Sequence, residues 1–136
     1  MAVLTEDRNT PRRSGDNLTL SAAGAKKFFA GALCARDANG RATPGAVATT
    51  LLGVGRVRQF VDNSAGADDA VSVDIERGIF RFANSAAADE ITAADIGGDC
   101  YIVDDQTVAK TDGTATRSVA GKVHDVDAQG VWVDFR

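Results

Sequence analysis

Two stretches of this chain read as copies of one another, and a repeat on that scale restricts the fold more than any other feature. Residues 31–75 and 98–135 match in order and approximate spacing. Gly31-Ala32-Leu33-Cys34 answers Gly98-Asp99-Cys100-Tyr101, and Asp37 answers Asp104. Gly55-Arg56-Val57 answers Gly121-Lys122-Val123, and Val71-Ser72-Val73-Asp74-Ile75 answers Val131-Trp132-Val133-Asp134-Phe135. The main difference is a longer polar loop at 62–70 in the first copy. The repeat predicts two strand–turn–strand–loop–strand units packed together as one small β-barrel or sandwich.

Local patterns fill in the units. Val71, Val73 and Ile75 alternate with polar residues, which places them on one face of a strand. After Gly78 the parity changes, because the large apolar residues become Phe80 and Phe82. A glycine at such a changeover predicts a bulge that lets both halves of one long, bent strand face the same core. Further strands are expected at 18–20, 31–35, 51–57, 100–103 and 107–109. A terminal hairpin of 118–126 with 131–135 turns at Asp127-Ala128-Gln129-Gly130. Asp37-Ala38-Asn39-Gly40 supplies another turn, since Asn-Gly readily takes positive φ. One short helix is expected near 92–96, with Thr92 as N-cap, Asp95 three residues on and Gly97 as the stop. Ile91 and Ile96 are placed to staple it.

Composition sets the class. The chain has 136 residues, 44% of them apolar, which suits one domain. No apolar run approaches the roughly 18 residues needed to span a bilayer, so no membrane span is expected. The first residues lack the basic-then-apolar layout of a secretion signal. Residues 1–16 are polar and irregular and read as an extended N-terminal arm, with residues 17–136 as the β-barrel domain. The arm carries Arg8, Pro11, Arg12 and Arg13. Charge is uneven, with a net +3 over residues 1–41 and −7 over the rest. An acidic body argues against a nucleic-acid partner, whereas a basic arm suits docking on an acidic protein surface.

No catalytic, cofactor or metal site is expected. Cys34 and Cys100 have no CxxC spacing, and with one histidine in the chain they read as buried thiols. A nucleophilic set of Cys100 or Cys34 with His124 and Asp125 has nothing to bring it together. Asp68-Asp69 and Asp104-Asp105 lack the spacing of a calcium loop. Trp132 and Phe135 suit either an interface anchor or core packing.

Several runs resemble one family. They are Gly31-Ala32-Leu33 followed by Asp37-Ala38-Asn39-Gly40, and Asp62-Asn63-Ser64-Ala65-Gly66-Ala67-Asp68 leading into Val71-Ser72-Val73 and Arg77-Gly78-Ile79-Phe80. Asp95-Ile96-Gly97, Cys100-Tyr101-Ile102-Val103-Asp104-Asp105 and Thr107-Val108-Ala109 complete the likeness. Over residues 18–135 the chain resembles the capsid decoration, or cement, proteins of tailed bacteriophages and prophages. The resemblance implies a non-catalytic, β-rich virion protein on the capsid exterior, assembled in the bacterial cytoplasm. Its implied partners are the major capsid protein and further copies of itself, as trimers in preference to dimers. Arg8, Pro11, Arg12 and Arg13 would make the arm's contact with the shell, and Trp132 and Phe135 an interface. A tail or head–tail component, or a small β-barrel ligand-binding module, is the alternative reading.

Overall fold

The computed structural model describes residues 2–136; Met1, the first residue of the expected arm, lies outside them. In chain order the strands are β1 (Asn17–Ser21), β2 (Lys26–Phe28), β3 (Leu33–Arg36), β4 (Ala42–Pro44), β5 (Leu52–Val57) and β6 (Val61–Asn63). Then come β7 (Ser72–Glu76), β8 (Ile79–Phe82), β9 (Asp99–Ile102), β10 (Val108–Ala109), β11 (Val119–Asp127) and β12 (Gly130–Asp134). They form two five-stranded antiparallel sheets, ordered β1-β7-β5-β3-β4 and β8-β12-β11-β9-β10, plus a small β2-β6 pair. The fold is mainly β and sandwich-like, as the repeat requires. The barrel alternative is not realised: each sheet keeps two short edge strands, and no ladder joins its first strand to its last.

The two sheets are copies. Strands β1, β3, β4, β5 and β7 occupy the same places in the first sheet as β8, β9, β10, β11 and β12 in the second. The likeness extends to single hydrogen bonds. Gly31 N–H donates to the Val57 carbonyl (2.9 Å) and Val57 N–H to that of Ala32 (2.9 Å); Gly97 donates to Val123 (2.8 Å) and Val123 to Gly98 (2.9 Å). Both glycines are left-handed, with φ of +85° and +89°. Cys34 pairs with Gly55 and Cys100 with Gly121, and in each sheet the next residue pair is shifted by a bulge, at Val54 and at Ala120.

These contacts correct the sequence alignment in three places. Asp37 N–H donates to the Arg41 carbonyl (2.8 Å) as Val103 N–H does to that of Thr107 (3.0 Å), so Val103, not Asp104, answers Asp37. Gly97, not Gly98, takes the part of Gly31. At the far end Val57 pairs with Ile75 and Val123 with Val133, so Ile75 answers Val133 and the expected register there was two residues out.

A second correction concerns residues 71–82. They do not form one bent strand over one core. Strand β7 lies in the first sheet, between β1 and β5, and β8 pairs with β12 at the edge of the second. Arg77-Gly78 is the crossing between them, with Gly78 at φ +155°. The parity change is therefore a change of sheet. Val73 and Ile75 pack in one cluster with Phe28, Cys34 and Val57, whereas Phe82 packs in another with Ile91, Ile102, Val131 and Val133. Strand β3 is buried on both faces: Cys34 belongs to the first cluster, Leu33 and Ala35 to the second.

The sheets meet where β5 and β11 begin. Leu51 N–H donates to Ser118 Oγ (3.0 Å), and that hydroxyl donates to the Ala48 carbonyl (2.6 Å). At Gly53 the approach is so close that a Cβ would overlap the Ala120 carbonyl.

The expected helix is a single 3-10 turn, Ala93–Asp95, in which the Asp95 carboxylate accepts Thr92 N–H (2.8 Å). The staple does not form. Ile91 is buried in the second core, but Ile96 is 48% exposed, because one turn is too short to return it to Ile91.

Candidate functional site

Residues 2–16 form no strand or helix, and every one of them is exposed. The sequence explains this: no apolar period exists with which to pack onto a sheet. Val3 and Leu4 are 87% and 71% exposed. Arg8, Arg12 and Arg13 make no ion pair among the described residues, and Pro11, which lacks an amide donor, lies exposed between them. The arm joins the body where the Asp16 carbonyl accepts Arg77 N–H (2.8 Å). Three cations are thus carried on a tether that leads into an edge strand.

The second surface was missed in the sequence. Strands β2 and β6 pair as an addition to the first unit that has no counterpart in the second. Phe28 plants it in the core, fully buried. Asn63 is buried too, and its amide donates to the carbonyls of Ala23 (2.9 Å) and Ala67 (3.1 Å). One residue beyond Phe28, Phe29 turns outward and meets Phe60, with ring centroids 5.5 Å apart. Both remain more than half exposed, at 54% and 53%. Exposed Lys26, Lys27 and Arg58 lie within two residues of these rings or of the pair that carries them. Asp62, opposite Lys27, is turned onto Ser64, whose hydroxyl (2.6 Å) and backbone N–H (2.9 Å) hold its carboxyl below the usual range. The available signal was the pair of apolar doublets, Phe28-Phe29 and Phe60-Val61.

Trp132 and Phe135 part company. Phe135 is 3% exposed and packs on Phe80 and on the edge of Phe82, at centroid distances of 6.3 and 5.9 Å. It is a core residue and presents no surface to a partner. Trp132 stays half-buried beside a groove of about 290 Å³ that Gly31, Arg56 and Phe80 also line. Arg81, its cross-strand neighbour, lies 5.6 Å from the indole centroid, and the Asp127 carboxylate accepts the indole N–H at 2.9 Å.

That indole bond, with the Gln129 and Gly130 amides, holds the Asp127 carboxyl below the usual range. A lowered folded-state pKa contributes stability above the unfolded value that is lost as pH falls through the folded one. Trp132 is the only tryptophan, so acid titration of the folded protein should give one fluorescence step at a pH below the ordinary aspartate range. Asp127→Asn should remove that step; its survival would assign it to another group.

No nucleophilic site is assembled from the cysteines. Cys34 and Cys100 are buried free thiols, and desolvation pushes each up to about 12. His124 is exposed on β11, where the ladder slips between Val123 and Asp125, so His124 and Asp125 both face solvent instead of alternating. No group of carboxylates, histidines and cysteines able to hold a metal occurs among the described residues.

Fold and surface together define a class: an internally duplicated, antiparallel β domain with an exposed cationic arm and one exposed aromatic pair. No family model, curated protein or solved structure matches the chain.

Proposed function

We propose that the chain is a capsid decoration protein of a tailed phage or prophage, a non-enzymatic clamp on the outer face of the shell that binds the major capsid protein and assembles with its own copies. The observation that carries this reading is the arm: fifteen exposed residues, 2–16, with Arg8, Arg12 and Arg13 in no ion pair among the described residues, fixed to a two-sheet body. A shell under pressure from packed DNA is held by a stiff body that bridges subunits and a tether that engages them. Ordering such a tether costs about 1–2 kcal/mol per residue, so it needs several contacts. Three guanidiniums against acidic capsid residues, or strand addition to a capsid edge, supply them. The sequence resemblance points the same way.

Co-sedimentation with expanded capsids stripped of their decoration tests the reading. The intact chain should bind saturably, and a chain lacking residues 2–16 should bind at least about tenfold more weakly. Binding indifferent to the truncation would move the contact to the body. Absence of binding would overturn the decoration role in favour of a tail or head–tail component.

A further inference from the structure

The arm and the β2-β6 face are complementary in two respects at once. Toward its tip the arm presents an apolar pair, Val3-Leu4, and then an acidic pair, Glu6-Asp7. The face presents an apolar pair, Phe29 and Phe60, with exposed Lys26 and Lys27 on β2 and exposed Arg58 two residues before Phe60. Neither apolar pair is covered by its own chain, since all four side chains are more than half exposed. None of the three cations makes an ion pair among the described residues; Asp62, opposite Lys27, is engaged by Ser64, and Asp105 lines a hollow shared with Phe29.

We infer that the tip of the arm docks on the β2-β6 face of a second copy of this chain, Val3 and Leu4 covering Phe29 and Phe60 and Glu6 and Asp7 meeting the cations. Reach permits it. The twelve residue steps from Leu4 to Asp16 span up to about 40 Å when extended, more than the radius of a domain this size. The exchange gives the face an occupant from the same molecule, and it explains why only one of the two units carries the addition: one arm needs one receiving face. Arg8, Arg12 and Arg13, which follow the tip, stay outside the contact and free for the shell. The inference rests on the self-assembly contained in the proposed function, yet it requires no capsid to be tested.

The test is the molar mass of the full-length protein by sedimentation equilibrium, with two double variants. Val3→Asp with Leu4→Asp alters the arm; Phe29→Ser with Phe60→Ser alters the face. Wild type should self-associate, and each variant should weaken that association by about tenfold or more. Thermal unfolding checks that both variants fold, as their exposed positions predict. Mixing the two should restore a heteromeric species, because each copy keeps the half the other lacks. A monomeric wild type overturns the inference, as does association that ignores either variant or fails to recover on mixing. Shell binding measured alongside keeps the outcomes apart: a self-associating wild type whose monomeric variants still sediment with capsids sustains both proposals, and a monomeric wild type that still sediments with capsids overturns arm exchange and leaves the decoration role standing.

Discussion

Gly53→Ala should be a severely damaging one-carbon change in the body, lowering stability by about 3 kcal/mol, the upper end of what overpacking costs. The reason lies between the sheets. The added methyl would overlap the Ala120 carbonyl, which belongs to the opposing strand β11, and the next nearest atoms are backbone of the same residue. Backbone has no rotamer to change, so relief requires the sheets to separate at the point where Ser118 also joins them. Urea denaturation measures the loss as a lower midpoint. Gly15→Ala is the control, since nothing lies within 4 Å of its added carbon. Equal midpoints for the two variants would show that the halves slide apart at little cost.

The second large effect separates two aromatic residues that the sequence grouped together. Phe135→Ala should cost about 3–5 kcal/mol, as expected for emptying a buried aromatic site. Trp132→Ala should cost less, about 2 kcal/mol, because the indole is only partly buried and loses part of a packing contact, one hydrogen bond and one cation–π contact. Phe135 lies between Phe80 and Phe82, and its own N–H donates to the Gly78 carbonyl (2.9 Å), so its loss opens the core beside the sheet crossing. Chemical denaturation of the two variants measures the difference. The opposite ranking would mean that Trp132, and not Phe135, closes the second core.

Much of the fold was legible because duplication doubles every signal. The order of strands in the repeat, the turn at Asp37–Gly40 and the terminal hairpin at Asp127–Gly130 all stand where the residues placed them. What failed did so for definite reasons. In Gly97-Gly98 the two neighbours are the same residue type, and the left-handed φ of Gly97 and its hydrogen bond to Val123 tell which one repeats Gly31. A two-residue slip between Val71-Ser72-Val73 and Val131-Trp132-Val133 preserves every inward and outward side chain, so alternation does not detect it. A bulge and a change of sheet both invert parity, and Gly78 serves either.

The surfaces were less legible than the fold. The arm shows itself by its lack of period. The aromatic face does not, because β2 and β6 have three residues each and a strand that short displays no alternation. Burial sorts Phe28 from Phe29 and Phe135 from Trp132, and burial is a property of the partners each residue meets across the sheets.

One consequence of the crossing at Arg77-Gly78 concerns the chain as a whole. Every strand of the first sheet precedes it and every strand of the second follows it. The molecule is thus arranged like a homodimer whose two subunits share one polypeptide, so the two halves need not be identical. One half carries a longer loop and an aromatic surface that the other lacks among the described residues. The halves match in their five-stranded sheets and differ at the β2-β6 surface.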